Sequence, residues 1–225
     1  MGFIDIKGVT KTYMENIGVP TEALRGIDLT VNEGEFLSIA GPSGSGKTTL
    51  LNLIGALDNP TSGTIIFDGQ NISDTPIVKL SDFRLNKIGF VFQAYNLFNT
   101  LTALENIEYV LLLQGKPPDQ TGVIARDLIG RVGLSDCANK RANRLSGGQQ
   151  QRVAVARALA SHPKVILADE PTANLDSRTA SNLIDLMHEL NREKGVTFIF
   201  STHDKMVMDK ASRLVLMRDG KIVNG

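Results

Sequence analysis

Gly41-Pro42-Ser43-Gly44-Ser45-Gly46-Lys47-Thr48 fits the pattern G-x-x-x-x-G-K-[ST] at every position. No other stretch limits the fold as tightly. Before it, Glu35 to Ala40 reads as a strand. After it, Lys47 to Leu57 reads as a helix with Leu50, Leu51, Leu53, Ile54 and Leu57 on one apolar face. A strand, a glycine loop and a helix in that order aim successive backbone N–H groups at one anion. Gly41, Gly44 and Gly46 let the backbone come close to phosphate oxygens. Lys47 adds a point charge near the β- and γ-phosphates, and the Thr48 hydroxyl suits Mg2+. Pro42, Ser43, Ser45 and Thr49 belong to the same cradle.

Around this loop the remaining elements alternate. Phe3 to Val9 and Leu29 to Val31 read as short strands of an N-terminal sheet, and Thr64 to Phe67 as another strand that ends in a tight turn at Asp68-Gly69. The cluster Asp58 to Gly63 stops the preceding helix with proline and glycine. Ile88 to Gln93 is a strand, and Thr102-Ala103-Leu104-Glu105 is a capping box opening a helix. Two or three helices fill Thr102 to Val132, with a break at Lys116-Pro117-Pro118. Lys164 to Asp169 is almost wholly apolar, as a parallel strand covered on both faces must be. Ser177 to Lys194 is an amphipathic helix with Leu183, Ile184, Leu186, Met187 and Leu190 inward and Gly195 as its C-cap. Val196 to Ser201 and Arg213 to Met217 are strands, and Asp219-Gly220 turns into a last short one. The order implies an α/β fold with an inserted helical region.

A second phosphate-facing design lies at Leu145-Ser146-Gly147-Gly148-Gln149, before a helix read over Gln150 to Ala160. It has no lysine, but a helix N-terminus with free N–H groups attracts anions. Two such surfaces in one chain suggest that they meet across a dimer with nucleotide between them. With LSGGQ following the glycine loop, the chain resembles the ATP-binding subunit of an ABC transporter, and that pentapeptide is the family's signature motif.

The resemblance covers essentially the whole chain and implies a P-loop NTPase (RecA-like) core, an N-terminal antiparallel β subdomain and an inserted α-helical subdomain. The expected division is one ABC ATPase domain, with residues 1–93 and 164–225 as nucleotide-binding core and 94–163 as helical subdomain. Asp169, closing its strand, is like the acidic residue that holds Mg2+ in a Walker B strand. Glu170 after it could accept a proton from an attacking water. By resemblance Gln93 contacts Mg2+ and that water, His203 contacts the γ-phosphate, and Tyr13 stacks on adenine. Asn174-Leu175-Asp176 resembles the D-loop that joins the two sites of a dimer, and Asp176 could also cap the helix after it. In trans, Ser146, Gly147, Gly148 and Gln149 would close the nucleotide of the opposite subunit. The catalytic set is then Glu170, His203, Gln93 and Lys47, the metal set Thr48, Gln93 and Asp169, and the cofactors ATP and Mg2+.

Finer features match one branch. Phe92 to Leu97, Thr102 with Glu105-Asn106, and Ala168 to Asp176 are similar to the lipoprotein-release and macrolide-export ATPases, with the cell-division ATPase close by. That branch implies a homodimer working on integral membrane permease subunits, by mechanical coupling across the membrane. It would sit peripherally on the cytoplasmic face of the inner membrane, with 94–143 as the permease contact surface. A soluble ABC ATPase on ribosomes or DNA is the alternative, but such proteins carry two cassettes or a long insert.

Composition agrees with this reading. Lys plus Arg and Asp plus Glu both total 24 of 225 residues, so net charge is zero and no broad basic field supports nucleic-acid binding. No run reaches the roughly 18 apolar residues that a membrane span needs, and Met1 to Lys7 lacks an apolar core of signal-peptide length. Cys137 is the only cysteine and reads as a small, semi-buried apolar residue. His162 and His188 read as ordinary surface residues.

Overall fold

The computed structural model describes residues 2–14 and 20–224. Met1, at the head of the opening segment read above for a signal peptide, lies outside the described residues. In chain order the elements are β1 (Ile4–Met14), β2 (Pro20–Val31), β3 (Phe36–Ala40), α1 (Lys47–Ile54), β4 (Ser62–Phe67) and β5 (Gln70–Asn71). Next come α2 (Ser81–Lys87), β6 (Ile88–Val91), α3 (Ala103–Leu113), α4 (Pro118–Arg131), α5 (Gly147–Ala160) and β7 (Val165–Asp169). The last are α6 (Ser177–Lys194), β8 (Thr197–Thr202), α7 (Lys205–Lys210), β9 (Arg213–Arg218) and β10 (Lys221–Asn224). The chain divides into two compact units, one of residues 1–82 with 197–225, the other of residues 83–196.

In the first unit, β2, β1, β4 and β5 form an antiparallel sheet in that order. β1 and β2 run far beyond the short strands expected. Bulges after Ile6, Val9 and Lys11 break the two-residue alternation, so the outer half carries no continuous apolar pattern. Beside this sheet β3 pairs in parallel with both β8 and β9, and β10 returns antiparallel on β9. Phe36 lies 5.5 Å from Phe198 and 4.6 Å from Phe200, ring centre to ring centre, and these rings anchor the β3–β8 pair. α1 stops at Ile54 rather than Leu57, because Gly55 caps it and Ala56 turns left-handed with φ of 52°.

In the second unit, β6 and β7 are parallel neighbours, with α3, α4, α5 and α6 packing among themselves. The span from Thr102 to Val132 holds two helices, with the break where the prolines place it. α3 opens with the expected capping box, in which Glu105 N–H donates to Thr102 and Thr102 N–H to Glu105. Buried Asn106 then ties the preceding loop to α3, accepting from Phe98 N–H and donating to the Phe98 and Thr102 carbonyls. α6 buries Leu183, Ile184, Met187 and Leu190, but Leu186 is only half-buried, at the rim of a cavity lined also by Arg152 and Thr179. α2 was not foreseen; its short polar stretch buries no residue and so leaves no apolar period. Cys137 is buried and free. Among the described residues no helix is long and apolar enough to cross a membrane.

Candidate functional site

In the first unit the register Ala40↔Thr202 between β3 and β8 places Gly41 and His203 side by side, each one residue past its strand. The glycine loop can close there only because two positions lack a side chain. A Cβ on Gly41 would meet the Met217 carbonyl oxygen at 2.2 Å. One on Gly46, with φ of +100°, would meet that of Ala23 at 2.6 Å.

Gly46 is the N-cap of α1 and supplies no capping side chain, and the first turn of α1 has no acidic residue. Its leading N–H groups and the positive end of the helix dipole are thus directed to an anion. Lys47, nearly buried, donates to the Gly41 and Pro42 carbonyls at 2.8 and 3.0 Å, holding its ammonium inside the loop. Among the described residues the hydroxyl of Ser45 is buried without a partner. A buried unsatisfied hydroxyl, an inward ammonium and an uncapped helix start make a cradle that suits phosphate. Thr48 is exposed and Thr49 half-buried on the same helix. His203 is exposed, and Asp204 next to it caps α7 through Met206 N–H.

Tyr13 stands near the outer end of β1 and is 38% exposed. Its hydroxyl donates to Asp58 at 2.9 Å, and the Lys11 ammonium lies 4.8 Å from the ring centre while donating to Asp58 at 2.7 Å. Burial, then the hydrogen bond and charge of Asp58, raise the phenol's pKa above its ordinary value. Burial pushes the Asp58 carboxyl up, but Lys11, the Tyr13 hydroxyl and the Asn59 N–H outweigh it and hold the group below the usual carboxylate range. Lys11 and Asp58 carry no pattern in the sequence, because only the pairing of β1 with β4 brings the turn before β4 beside Lys11.

In the second unit the parallel register Val91↔Ala168 puts Gln93 and Glu170 at equal offsets, two residues beyond it. Asp169 ends β7 half-buried, and Glu170 is left-handed with φ of 46°. The Asn174 amide donates to the Gln93 carbonyl at 3.0 Å. Asp176 caps α6 by accepting from the N–H groups of Arg178 and Thr179, and the Thr179 hydroxyl also donates to it at 2.6 Å. These bonds, the hydroxyl's first, keep the Asp176 carboxyl below its ordinary pKa.

The expected start of α5 at Gln150 is corrected to Gly147. Ser146 is the N-cap in a full capping box: Gln149 N–H donates to the Ser146 hydroxyl at 3.3 Å and Ser146 N–H to the Gln149 side chain at 3.0 Å. The paired glycines, poor helix formers by propensity, concealed this. Gly148 is required because a Cβ there would press the Thr179 methyl at 2.4 Å, so α5 and α6 meet closely at this point.

Among known families, the model described as "ABC transporter" matches residues 24–173. The lipoprotein-releasing system ATP-binding protein LolD 1 of Rhodopseudomonas palustris is 46% identical over 222 residues, spanning 97% of this chain and 97% of that protein. The macrolide export ATP-binding/permease protein MacB of Nitrosomonas europaea is 47% identical over 220 residues, covering 98% of this chain but 33% of its own length. Among solved structures, the dimeric post-hydrolysis state of the ATP-binding cassette MJ0796 bound to ADP and Pi aligns with a TM-score of 0.91. The two are 43% identical, over 98% of this chain and 97% of that one.

Proposed function

This chain belongs to the ABC transporter family as an ATP-hydrolysing, ATP-binding subunit of the LolD and MacB type, and we propose that it works as a homodimer closing around two Mg-ATP to drive a membrane permease. The observation that carries the nucleotide reading is the cradle of Lys47, the orphan Ser45 hydroxyl and the uncapped start of α1. Residues 41–49 bind the phosphates and Tyr13 stacks on the base.

Thr48, Gln93 and Asp169 offer hydroxyl, amide and carboxylate oxygens, the hard donors that Mg2+ takes. These residues would hold the ion, which would supply neutralising charge to the phosphate oxygens. Glu170 takes the proton of the attacking water, and His203 donates to the γ-phosphate. Ser146, Gly147, Gly148, Gln149 and Asp176 act on the nucleotide held by the other subunit. The neighbouring MJ0796 cassette is dimeric with ADP and Pi, which supports that arrangement.

The permease is an integral membrane protein of the lipoprotein-release or macrolide-export type, met through residues 94–143 on the cytoplasmic face of the membrane. The identity to LolD 1, and to MacB over a third of its length, supports this.

Titration of ATP onto the isolated subunit tests the assignment. Lys47→Ala abolishes binding, whereas Ser146→Ala spares it and impairs turnover. Equal loss of binding in the two variants refutes the in-trans role. Mild detergent extraction tests the partner: a co-purifying membrane permease supports the reading, and ribosomes or DNA in its place refute it.

A further inference from the structure

The backbone from Phe92 to Asn96, around Gln93, is held by side chains from elsewhere in the second unit. The Phe92 carbonyl accepts from Gln151 at 3.4 Å, that of Gln93 from Asn174 at 3.0 Å and that of Tyr95 from Arg157 at 3.1 Å; the Asn96 carbonyl accepts from the same arginine. Tyr95 and Asn96 are successive non-glycine residues in the left-handed region, with φ of 59° and 48°. Such a pair persists only when its surroundings impose it.

Arg157 is an unusual means of imposing it. It is half-buried, the one charge in the α5 stretch from Val153 to Ala160, and no carboxylate among the described residues pairs with it. Burial lowers its pKa with no opposing charge. A cation drawn from water without a counter-ion is costly, and here its compensation is two main-chain carbonyls. The same turn touches the start of α5, since a Cβ on Gly147 would lie 2.8 Å from the Tyr95 hydroxyl.

We propose that Arg157 is a positioning residue for Gln93, fixing the left-handed turn that follows it from the helix that begins at the LSGGQ motif. This rests on the reading of Gln93 as a residue serving Mg2+ and the attacking water. A merely structural arginine would lower thermal stability; a positioning one acts through Gln93.

The test is a double-mutant cycle on turnover with Gln93→Ala, Arg157→Gln and the pair, accompanied by ATP binding and melting curves. Arg157→Gln is expected to lose about 10- to 100-fold in kcat, the scale of a misplaced reacting group. ATP affinity stays unchanged, and the Mg2+ concentration for half-maximal turnover rises. Arg157→Lys, which can still reach one carbonyl, recovers part of the loss. The double variant is no slower than Gln93→Ala alone, because an effect routed through Gln93 is already gone. Losses that multiply, or a wild-type kcat in Arg157→Gln, overturn the inference. If Arg157→Gln does not fold, Arg157→Lys takes its place in the cycle, with the same two outcomes. Full turnover in Gln93→Ala instead defeats the reading of Gln93 itself, and a slow Arg157→Gln beside it would also overturn the route proposed here.

Discussion

Three residues concentrate the chemistry or its support. Glu170, held left-handed just past β7, is the proposed base. Glu170→Gln removes proton acceptance with little change in shape and should cost about 10²–10⁴ in kcat while ATP still binds; steady-state hydrolysis with parallel ATP titration measures both. Gly46 is a different kind of requirement. Gly46→Ala would force a Cβ to 2.6 Å from the Ala23 carbonyl at a φ of +100°, a strain of about 1–3 kcal/mol. It should lower the melting temperature and abolish nucleotide binding together. Asp58 titrates below its ordinary value when folded. Its contribution to stability is therefore present above the unfolded carboxylate pKa, near 4, and is lost as pH falls through the lower folded value. Asp58→Asn should flatten that part of the acid-unfolding curve, measurable by circular dichroism between pH 5 and about 2.

At the scale of elements, the signature helix depends on its own first turn. Ser146 and Gln149 satisfy each other in the capping box, so Ser146→Ala should destabilise by about 0.5–2 kcal/mol in thermal melts, in addition to its effect on turnover. What could be read in advance follows from which forces act locally. The strand, glycine loop and α1 were legible because phosphate cradling, strand apolarity and helix period lie in adjacent residues. The α3 capping box and the Asp176 cap were legible for the same reason. The long β1–β2 hairpin was not, since bulges interrupt its alternation, and the start of α5 was hidden by Gly147 and Gly148. Nor could the Lys11–Tyr13–Asp58 cluster or the Arg157 hold on Tyr95 and Asn96 be seen, because each joins residues more than forty positions apart. One trace of the second existed, a lone charge in the apolar run from Val153 to Ala160.

For the molecule as a whole, membership of the ABC transporter family makes the subunit an ATPase, and in the proposed dimer each subunit supplies half of its partner's site. Such a dimer forms only with ATP, and its mass reports it. Light scattering on Glu170→Gln, expected to bind ATP and to hydrolyse it about 10²–10⁴ more slowly, should give the 24.4 kDa monomer without nucleotide and twice that mass in saturating Mg-ATP. Ser146→Ala in the same background should weaken the shift. A Glu170→Gln subunit that binds ATP yet keeps the monomer mass would rule out the ATP-dependent dimer.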